Sequence, residues 1–407
     1  MVEIVGKYNK ATVLVSDWNK LEDACRKQIQ KLLDQKFVEN SNIAIMPDTH
    51  AGCGCVIGFT QTIVDKVVPN LVGVDIGCGM EVLKIKKEFG DKLFTTEGLI
   101  KLDAIIRERI PVGSRHRETK HAFAQNVCVN EIIAPVKVEE SYFSIGSLGG
   151  GNHFIEVDKD SHGDYYIVIH SGSRHLGIEV CKFYQTRAID YHAHKIDEKK
   201  EMIKNLKAAG REKEIPTELA KFPPRPPNEL AYLEGQDLEN YLHDMKLAQG
   251  YAIWNRKAML EEILIGMDIT KDMVSDNFCT IHNYIDTDER ILRKGAISLK
   301  KDEIAIIPIN MAYGSLIVRG KGCEKYNCSG PHGAGRIMSR SVAKEQLKMK
   351  DFKESMKDVF TTSVSPETID EAPMVYKPPE EIIKNISELC EVVDIIKPIY
   401  NLKAGED

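Results

Sequence analysis

Pro331-His-Gly-Ala-Gly-Arg-Ile-Met-Ser-Arg340 is the segment best suited to chemistry. Small residues around His332 let a phosphate come close, and the glycines at 333 and 335 offer backbone N–H groups to it. A neutral imidazole is a nucleophile near neutral pH, and its attack on phosphorus would give a P–N bond. Arg336 and Arg340 stand four residues apart, so on a helix they would share a face and hold anionic oxygens. Taken alone, the segment reads equally as a glycine-rich turn entering a helix with a structural histidine.

Four further motifs shift that balance. Val74-Asp-Ile-Gly-Cys-Gly-Met80 places a carboxylate and a thiol three apart among glycines. Asp75 is a hard ligand, and the Cys78 thiolate is soft and able to bridge two cations. A turn with a capping Asp is at least as good a reading of that segment alone. Gly149-Gly-Gly-Asn-His-Phe-Ile-Glu-Val157 brings His153 into a strand after three glycines, with alternation placing His153, Ile155 and Val157 on one face and Asn152 and Glu156 on the other. His170 closes the strand-like run Tyr165–His170 and opens into Ser171-Gly-Ser-Arg174, a setting for a ligand beside an anion clamp. His282 follows Phe278-Cys-Thr-Ile, and His50 closes Met46-Pro-Asp-Thr-His. Lys294, in Arg293-Lys-Gly-Ala296, could add a phosphate contact. Asp75, Cys78, His153, His170 and His282 together make a two-metal set, each at a strand end or glycine-rich turn. The histidines at 116, 121, 162, 175, 192, 194 and 243 lack that setting and read as surface residues. The basic run Arg115-His-Arg117 with Lys120-His121 reads first as a solvated face and second as an RNA contact.

The elements that must position these groups emerge from periodicity. Helical spacing covers 17–38, 98–110 up to Pro111, 238–264 and about 379–393. Strand-like runs occur at 43–46, 56–60, 67–74, 165–170 and 303–318, with a short tail after them at 395–403. Without a βαβ rhythm or a P-loop, the expectation is an α+β fold: one large domain over 1–407, with mixed or antiparallel sheets around a metal site and helices on the flanks. Residues 193–235, Lys/Glu-rich and ending in Phe222-Pro-Pro-Arg-Pro-Pro227, read as a charged helical excursion with a stiff linker.

Bulk numbers set the class. At 407 residues and 43% hydrophobic content the chain can bury a large core. A net charge of −6 gives no global nucleic-acid signal, so any anion site must be local. No long apolar run or leader pattern is present, giving a cytoplasmic, membrane-free expectation. The cysteines (25, 53, 55, 78, 128, 181, 279, 323, 328 and 390) do not suggest a disulfide framework, and most read as buried small hydrophobes.

In order, Met46-Pro-Asp-Thr-His-Ala-Gly, Val74-Asp-Ile-Gly-Cys-Gly-Met, Gly-Gly-Asn152-His-Phe-Ile-Glu, His170-Ser-Gly-Ser-Arg, His282-Asn, Arg293-Lys-Gly-Ala and His332-Gly-Ala-Gly-Arg-x-Met-Ser-Arg resemble the motifs of the RtcB-type RNA ligases, from about residue 43 onward. The resemblance implies a GTP- and manganese-dependent ligase joining RNA 3′-phosphate or 2′,3′-cyclic phosphate ends to 5′-hydroxyl ends, with a role in tRNA splicing or RNA repair. It implies guanylylation of His332, with Arg336 essential beside it, and two Mn2+ ions on Asp75, Cys78, His153, His170 and His282. Guanylate contacts carry over to Asn152, Glu156, Asn310, Ser315, His332, Gly333, Ala334, Gly335 and Lys403. Phosphate or RNA contacts carry over to Arg174, Lys294 and Arg340. Manganese comes from the resemblance; ligand softness alone favours zinc. Asn310 stands where the family commonly has serine, and Cys53 where lysine is frequent. A protein activator is compatible with the family. A metal-dependent phosphoesterase or cyclic-phosphate hydrolase, or an RNA-binding paralogue without catalysis, are the other readings of the same residues.

Overall fold

A computed structural model describes residues 1–15, 17–222 and 224–403. Two sheets carry the architecture. The first has six strands in the order Val2–Val5, Lys10–Val13, Ile43–His50, Ile57–Thr62, Ile291–Lys294 and Asn283–Asp286. The second has seven, in the order Val274–Ile281, Gly79–Ile85, Tyr165–Ser171, Phe154–Lys159, Cys390–Lys403, Gly314–Gly320 and Ile304–Asn310. Every pairing in the second sheet is antiparallel; in the first, Lys10–Val13 runs parallel to Ile43–His50. The α+β expectation with mixed and antiparallel sheets flanked by helices holds.

Helix Gly235–Gly266 carries apolar residues into two cores at once. Leu238, Leu242, Met245 and Ala248 join the core under the first sheet, and Met259, Leu260 and Ile263 join the core under the second. Helix Thr96–Arg109 completes the second core, capped by Thr95, whose side chain accepts from Gly98 N, and ended by Pro111. Residues 193–208 are the distal half of the 35-residue helix Arg174–Ala208, and the short helix Ile215–Leu219 comes after it. Pro223, inside the proline-rich linker, lies outside the described residues.

Four sequence readings change. The strand-like run at 67–74 is only the two-residue strand Lys66–Val67 followed by a 3-10 turn at Pro69–Leu71. The 17–38 helix divides into a turn of 3-10 helix at Trp18–Lys20, the α-helix Asp23–Leu33 and another 3-10 turn at Lys36–Val38, because Leu21 and Glu22 are extended. The last helix is Pro379–Ile386, and the chain then enters the 14-residue strand Cys390–Lys403, in the interior of the second sheet. Its β-branched run pairs with Gly314–Gly320 and Phe154–Lys159, so sheet pairing overrides the weak helical period. His192, read as a surface residue, is buried with Nε2 3.2 Å from the Tyr232 carbonyl.

Candidate active site

The site lies where the chain crosses between the sheets. His282 is the link between Val274–Ile281 of the second sheet and Asn283–Asp286 of the first. Cys78 lies at the head of strand Gly79–Ile85, in a turn that Gly77 makes possible at φ +72°; a Cβ there would come within 2.9 Å of the Gln249 backbone. His282 N donates to the Cys78 carbonyl (2.9 Å). His170 opposes Met80 and Phe154 on the neighbouring strands. His153 belongs to the turn before strand Phe154–Lys159, so the alternation expected of it does not apply: Ile155 and Val157 face the helical core, whereas His153 faces Cys78.

All five residues read from the sequence as a metal set come together. Cys78 Sγ is 3.5 Å from His153 Nε2 and 3.3 Å from His170 Nε2. His170 Nε2 is 3.4 Å from His282 Nε2, and His153 Nε2 is 3.0 Å from Asp75 Oδ2. The donors form two groups that share the thiol, Asp75–Cys78–His153 and Cys78–His170–His282, each with its atoms within 4.8 Å of one another. The far nitrogens fix ring orientation: Nδ1 of His153 bonds the Leu148 carbonyl (2.8 Å) and Nδ1 of His170 bonds the Asn152 carbonyl (3.2 Å). Each Nε2 then presents a lone pair to the same small volume. Lone pairs converging at this range repel unless a cation lies among them, so the donor set fits divalent metal binding. Burial holds His170 and His282 well below the usual imidazole range, neutral as ligands must be. Burial and then the Asp75 charge push the Cys78 thiol up, an effect that a bound cation reverses. When His153 Nε2 carries a proton instead, burial acts upward on Asp75 but is outweighed by the His153 hydrogen bond and charge, which bring its carboxyl down to about 2.

His332 comes directly after the short strand Ser329–Pro331 and adjoins this cluster, its ring centroid 5.0 Å from that of His282. Its Nδ1 is 2.6 Å from Asp48 Oδ2, and the same oxygen accepts the His332 backbone N–H at 3.1 Å. Asp48 is fully buried on strand Ile43–His50. A carboxylate at Nδ1 makes that nitrogen the protonated one and leaves Nε2 with the lone pair. His50 stacks beside it at 6.5 Å between centroids.

A cleft of about 270 Å³ opens from His332, lined by Asn152, Glu156, Asn310, Arg336, Tyr376 and Lys403 among others. His170, Gly333, Ala334, Gly335 and Arg340 also reach its wall. Arg336 and Arg340 do not share a helix face: 333–339 is irregular, and helix Arg340–Gln346 starts at the second arginine behind the Ser339 cap. They converge through Glu371 instead. Glu371 Oε1 meets Arg336 Nη1 and Arg340 Nη2, each at 3.1 Å, and Oε2 meets Lys403 Nζ at 2.9 Å. Tyr376 OH donates to the same carboxylate. Burial acts upward on Glu371, but Lys403 and Arg340 outweigh it and hold the carboxyl down at about 2. Glu156 is buried and accepts from Asn401 Nδ2 (2.6 Å), and burial raises its carboxyl above the usual range. Asn310 Oδ1 accepts from the backbone of Ala312 (3.0 Å) and Tyr313 (2.9 Å).

Arg174, Lys294 and Ser315 are not among the residues lining this cleft. Arg174 Nε donates to Ser147 Oγ (3.1 Å) and its Nη2 to the Gly113 carbonyl. Lys294 is buried, with Nζ donating to the Asn70 carbonyl (2.8 Å) and to that of Cys53. Ser315 is fully buried opposite Ile396.

Sequence reading passes over Glu371, Tyr376, Asn255 and Arg256, and takes Asp48 only as half of an Asp/His pair with His50. The two stand in the Met46–Gly52 motif, two residues apart. Asn255 and Arg256 sit inside a helix whose apolar spacing conceals them. Asn255 ties the Gly146 and Ser147 amides to the Gly172 carbonyl (2.8, 3.1 and 3.0 Å). Arg256, with no exposed surface, donates to the carbonyls of Gly77 and Ser171, both at 2.8 Å. These bonds clamp the Cys78 turn to the His170 strand end.

The family model described as tRNA-splicing ligase RtcB matches residues 28–142 and 124–404. The chain is 30% identical over 427 aligned residues to RNA-splicing ligase RtcB of Escherichia coli (strain K12), covering 96% of this chain and 97% of that protein. It is 25% identical to tRNA-splicing ligase RtcB of Archaeoglobus fulgidus, covering 92% of each chain. A 24% identity to the tRNA-splicing ligase RtcB of Aeropyrum pernix covers 89% of this chain and 88% of that protein.

Proposed function

Because the chain belongs to the RtcB family of tRNA-splicing ligases, we propose that it is a GTP-dependent RNA ligase that joins 3′-phosphate or 2′,3′-cyclic phosphate ends to 5′-hydroxyl ends through a guanylylated His332. The observation that carries this reading is the placement of His332, its Nδ1 on the buried Asp48 carboxylate and its ring beside the Cys78–His170–His282 donors.

Asp48 holds the tautomer in which Nε2 is the nucleophile and stabilises the positive charge the ring gains on attack. Nε2 bonds to the α-phosphorus of GTP, and the bond to pyrophosphate breaks with its electron pair leaving on oxygen. A cyclic end is first opened by water, which breaks the bond from phosphorus to the 2′ oxygen; an oxygen of the RNA 3′-phosphate then attacks the GMP phosphorus as its bond to nitrogen breaks. The 5′-hydroxyl oxygen attacks that activated phosphate, gives up its proton and displaces GMP. Asp75, Cys78, His153, His170 and His282 would hold two divalent cations, manganese by family resemblance. When bound, these supply positive charge against the developing phosphate charge. Glu156, Asn152, Asn310, Lys403 and the 333–335 backbone hold the guanylate, and Tyr376 offers a ring in the same cleft. Arg336 and Arg340 present guanidinium groups to phosphate, with Glu371 setting their orientation. Arg174, Lys294 and Ser315 act through the loops and strands they brace.

Incubation with α-labelled GTP and manganese tests the reading. The expected result is an acid-labile label on the wild type, absent from His332→Ala. Release of phosphate from RNA ends without any protein label would point to a hydrolase instead, and RNA binding with neither activity to a non-catalytic paralogue.

A further inference from the structure

The basic run at 115–121 is a solvated charge pattern by sequence alone, yet the fold ties the residues just before it, 111–113, to the glycine loop that carries His153. Gly113 N donates to the Gly149 carbonyl (3.1 Å), Leu148 N to the Pro111 carbonyl (2.9 Å) and Arg117 N to the Phe143 carbonyl (3.0 Å). The 111–117 segment is therefore laced to the glycine loop that ends at His153. Gly149 itself lies against the His153 ring and the Arg174 guanidinium: a Cβ there would come within 2.7 Å of His153 Nδ1 and 2.0 Å of Arg174 Nη1. On its other side the glycine loop meets Arg340, which lies 3.4 Å from where a Gly151 Cβ would be. Arg115, two residues past the Gly113–Gly149 backbone bond, and Arg340, ion-paired to Asp370 and Glu371, thus stand at opposite ends of a glycine rim.

The cations of the run differ in their commitments. Arg117 pairs with Glu262 (2.7 Å) and Lys120 with Glu139 (2.7 Å). Arg115 is exposed, and among the described residues its guanidinium makes a long bond within its own loop, from Nε to the Val112 carbonyl (3.4 Å). The one carboxylate within the run is the exposed Glu118. A guanidinium at this rim suits the phosphodiester of a single strand entering the cluster, since backbone phosphates occur on every nucleotide and bind such groups without regard to sequence.

We propose that Arg115 and the glycine loop form a track for the RNA backbone, with Arg115 holding a phosphodiester outside the reacting end. This rests on the reading of the chain as an RNA ligase. It is tested on the full-length protein by fluorescence anisotropy with a single-stranded RNA ending in a 3′-phosphate, without GTP, across a series of salt concentrations. Binding read this way does not depend on whether His332 takes up GMP, so the two readings fail separately. R115A should weaken binding by about threefold, R115E by more, and R115A should lower the slope of log Kd against log salt by about 0.7, the loss of one single-strand phosphate contact. R115K should retain most of the affinity, and melting curves should match the wild type. An R115E variant with unchanged affinity and slope would overturn the proposal. So would a defect confined to binding of a protein partner while RNA affinity stays intact.

Discussion

Asp48 and His332 meet twice through one oxygen: Oδ2 takes the ring Nδ1 at 2.6 Å and the His332 backbone N–H at 3.1 Å. The second bond fixes the backbone that carries the ring, so the imidazole is set in tautomer and in place by a single buried carboxylate. The other oxygen, Oδ1, is buried and has no partner among the described residues, which leaves Oδ2 as the working atom. Asp48→Asn should keep the shape and lose the tautomer. Transfer of GMP to His332 should fall by on the order of 10³-fold or more with little change in melting temperature. Rates of covalent labelling within tenfold of wild type would remove Asp48 from this role.

Cys78 is shared by both donor groups, so its loss should be felt at both cations. Cys78→Ala should leave secondary structure intact by circular dichroism. The bound manganese, counted by elemental analysis after gel filtration, should drop below one per chain where the wild type holds about two, since a bridging thiolate is what lets neighbouring ions coexist. Normal metal content in a folded Cys78→Ala protein would exclude bridging by this sulfur.

Glu371 gathers Arg336, Arg340, Lys403 and Tyr376 around one buried carboxylate. Its folded-state value, about 2, lies below the ordinary 4.5, so it stabilises the fold above the ordinary value, and the contribution is lost as pH falls toward the folded one. About 1 kcal/mol of the contribution should already be gone near pH 4. Glu371→Gln should cost about 3 kcal/mol in urea unfolding at neutral pH, because Arg336, Arg340 and Lys403 each lose one charged partner. The wild type and the variant should converge as the solution is acidified. A constant gap between them across that range would refute the assignment.

Arg256 has no exposed surface and joins the Gly77 and Ser171 carbonyls. Arg256→Met keeps the apolar stem and removes both donors. Two buried carbonyls left unpaired should cost about 2 to 5 kcal/mol. Manganese affinity should fall by at least tenfold, because the Cys78 turn and the His170 strand end are no longer held together. Isothermal titration with manganese measures this; unchanged metal affinity in a destabilised variant would make the arginine purely structural.

That Asp75, Cys78, His153, His170, His282 and His332 gather at one place is legible, because residues of this kind stand in glycine-rich turns and strand ends, and such turns stand out in a sequence. The same holds for the antiparallel strands at 165–170 and 303–318, where alternation and β-branching are local signals. Cys390–Lys403 is not legible: its pairing partners lie at 154–159 and 314–320, and a strand's stability comes from those distant neighbours. Glu371, Asn255 and Arg256 are hidden for a related reason. A buried carboxylate, amide or guanidinium carries no periodic mark, and its purpose appears only when the group it satisfies arrives from another part of the chain. The order of residues thus determined which atoms could react. Only the tertiary structure decided which of those atoms meet, because long-range burial has to pair most of the polar groups it takes from water.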